Sequence, residues 1–207
     1  MIKLYGIEVS GNTYKVKLLL SLLGLDYEEI RVNLLKGEHK QPEFLAMNPF
    51  GQVPLLTDGD LALPDAQAIL VYLARTYGDR PENQWLPDAP LALAEVVRWL
   101  STAAGEVRQG PETARLHHLF GLPNINIERA NEKSAFILSQ LDQHLATHDW
   151  LACGHPTIAD IAVFPYVALA PDGKISLDSY PQVLAWIERI KTLPNFVGMP
   201  GIAPLSE

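Results

Sequence analysis

The side chains that could do chemistry fall in a few short stretches of the chain. Ser10 stands just ahead of a helical pattern, where a serine is most often an N-cap. No Ser–His–Asp arrangement is evident to turn it into a nucleophile. Asn12 and Thr13 follow in the same loop as further polar donors. His39-Lys40, after Gly37-Glu38, is a cationic pair that suits either a solvated loop or an anion contact. In Asn48-Pro49-Phe50-Gly51-Gln52-Val53-Pro54, a proline opens a strand and removes one ladder donor, which places it at an edge or beside a ligand. Were the Val53–Pro54 bond cis, the N–H and C=O before it would turn outward and could pair with an extended peptide. An ordinary strand-opening proline is the plainer alternative. Asp65 is a good N-cap for the helix after it, and the Ala66 backbone N–H at that helix start can bind an anion. His144 and His148 sit four apart on a helical stretch, but no third ligand accompanies them, so no metal is expected. The single cysteine, Cys153, excludes an internal disulfide or a CxxC redox pair.

The elements that must position these groups change character near residue 80. Residues 2–6 and 27–32 carry β-branched and aromatic residues in short runs and read as strands. Between them Val16, Leu19, Leu20 and Leu23 take helical spacing, and Gly24 ends the helix. Such a strand–helix–strand unit implies a parallel pair with a right-handed crossover. Residues 53–57 and 61–63 flank Asp58-Gly59-Asp60, a hairpin signal, and a helix follows over 65–77. Residues 78–90, rich in proline, read as a linker. Helical patterns then cover about 91–109, 126–147, 157–170 and 181–192, with breaks expected at Gly110-Pro111 and at Gly121-Leu122-Pro123-Asn124. Thr157-Ile158-Ala159-Asp160 reads as a capping box, and Trp99, Phe164 and Trp186 as core.

Composition narrows the functional classes. The 207 residues are 48% hydrophobic and 19% charged, enough to build a packed core. A net charge of −8 makes nucleic acid and anionic membrane surfaces poor partners. No apolar run approaches the roughly 20 residues of a membrane span, and no signal-peptide pattern opens the chain, so the expectation is a cytoplasmic protein.

Gly37-Glu38-His39-Lys40-Gln41-Pro42-Glu43-Phe44-Leu45-Ala46, followed by Asn48 to Pro54, resembles the glutathione-site segment of soluble glutathione transferases, phi- and theta-like and bacterial members above all. Tyr5-Gly6, Ser10, Lys15-Val16 and the Pro156 to Asp160 stretch extend the resemblance over the whole chain. It implies an α/β thioredoxin-like N-terminal domain (1–78), a linker (79–90) and an all-α helical-bundle C-terminal domain (91–207).

The resemblance also implies roles. Ser10 occupies the position of the activating serine, whose hydroxyl donates to the sulfur of glutathione; Asn12 is a secondary donor and Tyr5 a minor alternative. Lowering a thiol pKa from ~8.5 to ~6.5 requires about 2.7 kcal/mol. One hydrogen bond to a charged group supplies roughly 1.5–3 kcal/mol, and a helix N-terminus about 0.3–1 more. His39 and Lys40 would hold the glycine carboxylate, Gln52 and the Val53 backbone beside Pro54 the cysteinyl part, and Asp65 the γ-glutamyl amine. Where the family pattern has Glu-Ser, this chain has Asp65-Ala66, so only the Ala66 N–H remains for the γ-glutamyl carboxylate.

The implied activity is conjugation of glutathione, a co-substrate, to a small hydrophobic electrophile, as in detoxification. Glutathione-dependent peroxide or disulfide reduction and a non-catalytic binding protein are the alternatives. The electrophile would sit between the Ser10 loop and residues about 98–122, where Arg98, Arg108, Arg115 and His118 could meet a polar substrate. Phe50 either inserts as an aromatic key into a partner subunit or folds back on its own domain; a homodimer is expected.

Overall fold

The chain begins with a strand–helix–strand unit. In the computed structural model, which describes residues 1–80, 83–122 and 124–205, β1 (Ile2–Gly6) and β2 (Tyr27–Arg31) pair in parallel around α1 (Gly11–Leu22). After a 3₁₀ turn at Glu38–Lys40 and the short α2 (Pro42–Met47), β3 (Leu55–Asp58) and β4 (Leu61–Pro64) form the hairpin. β3 runs antiparallel to β1, giving the strand order β2-β1-β3-β4. α3 (Ala66–Tyr77) closes this unit with Ile69, Leu70, Leu73 and Ala74 buried, as their spacing predicts.

Strand alternation gives the sheet two apolar faces. Ile2, Leu4 and Leu56 face α1 and α3 in the main core, whereas Leu55 meets Phe44 of α2 and Val32 in a smaller cluster. Tyr5 joins the smaller cluster, its ring edge-on to Phe44 at 6.4 Å. That orientation takes it away from the α1 loop.

α1 is buried over most of its surface: Tyr14, Val16, Leu18, Leu19 and Leu20 are all in the core, and so is Lys15, while Lys17 and Ser21 mark a partly exposed stripe. A helix buried this widely must have structure on both flanks. The sheet covers one side. α7 (Ile158–Ala168), itself buried from Ile158 to Val167, covers the other.

The linker stretch is more ordered than its prolines suggest. Short strands β5 (Asp79–Arg80) and β6 (Asn83–Gln84) pair antiparallel, and Trp85 and Leu86 are buried beyond them. Part of the expected linker, residues 81–82, lies outside the described residues, as does Pro123 of the second expected break.

The break expected at Gly110-Pro111 does not occur. Helix runs continuously from α4 (Pro90–Thr102) through a π-helical segment (Ala103–Glu112) into α5 (Thr113–Phe120). Pro111 has no N–H to give, and the wider π turn absorbs it: the Thr113 N–H and Oγ1 both donate to the Arg108 carbonyl five residues back. Gly110 stays small because a Cβ there would lie 2.8 Å from the Ser134 nitrogen of α6 (Ile127–Leu145). Gly121, with φ 61°, ends α5.

The capping box at the start of α7 is present, and its carboxylate does more than cap. Asp160 Oδ2 accepts from the Thr157 N–H at 3.0 Å, while Oδ1 accepts from Leu151 N and from Trp186 Nε1 of α8 (Pro181–Lys191), each at 3.0 Å. Asp160 is fully buried. Asp160→Ala leaves these buried donors unmatched and should cost about 3 kcal/mol or more in urea unfolding, with Asp160→Asn costing less because one acceptor oxygen survives. A loss below about 1 kcal/mol for the alanine variant would contradict this assignment.

Candidate functional site

The turn after α2 is built by one buried side chain. Asn48 accepts the Phe50 N–H on Oδ1 at 3.1 Å and donates from Nδ2 to the Gln52 carbonyl at 2.8 Å. Gly51 sits inside this turn at φ 56°, where a Cβ would come within 2.7 Å of the His39 carbonyl. Lys40 Nζ donates to the Phe50 and Gly51 carbonyls at 3.1 and 2.9 Å, so its ammonium also braces the turn. The chain then passes Gln52 and a cis Val53–Pro54 bond into β3.

A cavity of about 630 Å³ opens between this turn, the start of α3 and the C-terminal domain. That size lies within the usual range of small-molecule sites, about 300–1,000 Å³. His39, Lys40, Gln52, Val53 and Pro54 line one side, and Asp65 and Ala66 line its floor. Asp65 caps α3, with Oδ1 accepting the Ala68 N–H at 2.9 Å, and holds φ 77° and ψ 123°. A non-glycine residue there carries roughly 1–3 kcal/mol of backbone strain, which persists only where neighbours over-determine it. His39 Nδ1 is buried with no protein partner among the described residues.

The opposite wall comes from the π-helical segment. Ala103, Ala104, Arg108 and Glu112 face the cavity, and Asn12 reaches it from the first turn of α1. Asn12 Nδ2 donates to Glu112 Oε1 at 3.3 Å across the two domains. Burial pushes the Glu112 carboxyl upward, and Lys15 and Arg108 pull it back. Arg108 is exposed and makes no ion pair among the described residues.

Not every expected residue reaches this cavity. Ser10 is half-buried at the α1 N-terminus, its Oγ accepting the Thr13 N–H at 3.2 Å, and does not itself line the wall. Thr13 faces a second cavity of about 270 Å³, between β1, β2 and residues 198–200. Of the groups expected around an electrophile, only Arg108 lines the large cavity. Arg115 is buried, its Nε donating to Asp172 Oδ2 and its NH1 to the Val9 carbonyl, both at 2.9 Å. Arg98 lies over the Trp99 ring at 4.4 Å, and His118 packs against His117. His144 and His148 stack face to face at 4.3 Å; among the described residues no three His, Cys, Asp or Glu side chains come close enough to hold a metal. Burial raises the pKa of the Cys153 thiol, which lies outside the cavity.

Residues 1–75 match the family profile described as "Glutathione S-transferase, N-terminal domain", and residues 123–194 match "Glutathione S-transferase, C-terminal domain". Glutathione S-transferase 3 of Zea mays is 34% identical over 213 residues, covering 99% of this chain and 95% of that protein. The chain belongs to the glutathione S-transferase family. Among solved structures, the glutathione S-transferase of Pseudomonas fluorescens Pf-5 superposes with a TM-score of 0.88 at 33% identity, covering 96% of this chain and 98% of that one. A glutathione transferase homolog from Lodderomyces elongisporus, solved with two GSH per subunit, superposes at 0.83 and 25% identity, covering 94% of each chain.

The fold is accordingly the glutathione transferase fold, a thioredoxin-like sheet domain followed by a helical domain. Among the described residues no helix is long and apolar enough to cross a membrane. The π-helical wall of the cavity falls between the two matched regions, so the profiles do not reach it.

Asn48 and Lys15 stand in the sequence only as motif residues without an assigned role, Glu112 carries no signal, and Arg115 reads as a substrate contact and not as an anchor. Asn48 had a local signal, since Asn-Pro favours turns. The other three act across the domain boundary, and nothing near them in the chain marks it. Arg115 fixes the carbonyl just before Ser10 from 106 residues away. Arg115→Lys should loosen that loop by roughly 1.5–3 kcal/mol, seen as about 10- to 150-fold faster amide hydrogen exchange at Ser10 and Asn12. Unchanged exchange at those amides would remove Arg115 as the anchor.

Proposed function

We propose that the chain conjugates the thiolate of glutathione to small hydrophobic electrophiles, with the Ser10 hydroxyl stabilising the thiolate. The observation that carries this reading is the meeting, in one cavity of tripeptide scale, of the turn from His39 to Pro54 with the α3 N-terminus and the α1 loop. The relatives named for this transfer, and the homolog solved with GSH, support it.

Each polar group has a chemical counterpart on the tripeptide. Lys40 spends two of its three donor positions on the turn and keeps one for the glycine carboxylate, beside His39. Gln52 and the Val53 backbone, set by Pro54, face the cysteinyl part as an added strand would. Asp65 keeps Oδ2 for the γ-glutamyl amine while Oδ1 caps α3. Ala66 offers its N–H, in the favourable field of a helix N-terminus, to the γ-glutamyl carboxylate.

Capping and catalysis do not compete at Ser10. The cap uses an oxygen lone pair to accept from Thr13, which leaves the hydroxyl proton free to donate to sulfur. The α1 N-terminus adds a smaller favourable field at the same point. The thiolate attacks the electrophilic carbon of an aryl halide, a C–S bond forms, and halide leaves with the bonding pair. Ala103 and Ala104 leave room for an apolar ring on the facing wall.

We further propose that two chains associate as a homodimer through Phe50. Its ring is 77% exposed on the turn that Lys40 and Asn48 brace, and burying it in a partner is worth ~1.5–3 kcal/mol. Two-fold symmetry makes one substitution count twice.

Calorimetry with glutathione and an aryl-halide conjugation assay test the catalytic reading together. Ser10→Ala should bind glutathione nearly as wild type does, yet conjugate about 10- to 150-fold more slowly. An undiminished rate removes Ser10 from catalysis, and absence of glutathione binding by the wild type removes the whole reading. For assembly, sedimentation at micromolar concentration should show a wild-type dimer that Phe50→Ala shifts toward monomer; a mutant dimer of unchanged stability rejects the key.

A further inference from the structure

Lys15 is a fully buried lysine that the reading above does not use. Its Nζ donates to Asn12 Oδ1 at 2.8 Å, its one hydrogen bond among the described residues, and lies 5.2 Å from the centre of the Tyr166 ring. Asn12 in turn donates to Glu112 Oε1 from the other domain. An ammonium can only donate, so the Asn12 amide turns its oxygen to Lys15 and its nitrogen to Glu112. The Asn12 carboxamide is therefore held in one orientation, because the flipped amide would set its N–H groups against the ammonium.

That orientation leaves a specific surplus. An asparagine amide has two N–H groups; one goes to Glu112, and the other has no partner among the described residues. Asn12 and Glu112 line the large cavity, and Lys15 stands behind them. We propose that Lys15 and Glu112 are positioning residues that hold the Asn12 carboxamide so that its second N–H donates to the sulfur of the bound thiol. The proposal rests on the glutathione reading and assigns to the secondary donor Asn12 the two groups that aim it.

Charge at Lys15 sharpens that donor. A cation on the amide oxygen draws electron density from the nitrogen and strengthens the remaining N–H, most of all in a low-dielectric interior. Burial lowers the Lys15 pKa to about 8, while Glu112 and Asp65 favour the charged form and Arg108 opposes it. The phenol of Tyr166, whose own pKa burial raises, stays neutral over the ring contact. Lys15 is thus largely charged at neutral pH. An apolar side chain would pack at this position without desolvating an ammonium, so stability alone does not call for a lysine here.

The test titrates the thiol of glutathione bound to the full chain, following thiolate ultraviolet absorbance, with calorimetry on the same samples to establish binding. Asn12→Ala should raise the pH of thiolate formation by about one to two units. Lys15→Met and Glu112→Leu, which leaves the Asn12 amide no acceptor, should each raise it in the same direction, and neither should raise it further once Asn12 is alanine. A purely structural role would not produce that dependence on Asn12. If Lys15→Met does not fold, Glu112→Leu decides by the same criterion. A bound thiol that titrates as in wild type in Asn12→Ala overturns the proposal and leaves Ser10 as the donor. Shifts from Lys15→Met or Glu112→Leu that persist in full without Asn12 overturn the positioning role. Failure of the wild type to bind glutathione overturns the parent reading, and this proposal with it.

Discussion

Close packing of α1 against α7 is the constraint on which the site depends. At Gly11 a Cβ would lie 2.7 Å from the Tyr166 ring, so the first turn of α1 can approach the C-terminal domain only because that residue has no side chain. The approach brings the Val9-to-Asn12 segment to the boundary between the domains, where Arg115 holds the Val9 carbonyl, Tyr166 packs against Gly11 and Glu112 meets Asn12. Farther along, the Tyr14 hydroxyl donates to the Val197 carbonyl and Ser21 Oγ to the Asn195 carbonyl, both at 2.7 Å, which holds the rest of α1 in register with the C-terminal segment. The cavity is thus a product of the domain boundary, with a turn and a helix cap from one domain facing a helical wall from the other.

That wall has its shape because a proline was kept inside a helix. The π turn that accommodates Pro111 sets Arg108 and Glu112 facing the α1 loop, and the helix continues far enough for Arg115 to reach Val9. π-Helical turns of this kind are frequent at functional sites, since they offer carbonyls and side chains that a regular helix hides. Here the same irregular segment carries the carboxylate that meets Asn12 and the guanidinium that lines the cavity.

Much of the architecture was legible in local patterns. β1, β2, the β3–β4 hairpin and α3 follow from alternation, turn chemistry and helical spacing, and they begin and end within two residues of where those signals put them. The capping box from Thr157 to Asp160 was equally readable. What local signals could not supply was the meaning of Gly110-Pro111, which reads as a break until Ser134 of α6 supplies the reason for the glycine and the π turn supplies the place for the proline. Nor could they distinguish Asn12 from Thr13, neighbours in the first turn of α1 that face different cavities. Lys15 was visible only as part of a motif; its burial, and its link through Asn12 to Glu112, 100 positions on from Asn12, arise when two domains close on each other. Contacts of that range leave no local trace in a single sequence.

A crystal structure of the chain with glutathione bound tests the central claim most directly. The account predicts the sulfur within about 3.5 Å of both Ser10 Oγ and Asn12 Nδ2. It also predicts the glycine carboxylate beside His39 and Lys40, and the Asn12 amide oxygen still facing Lys15. A sulfur directed away from the α1 loop, or an Asn12 amide turned with its oxygen toward Glu112, would contradict it.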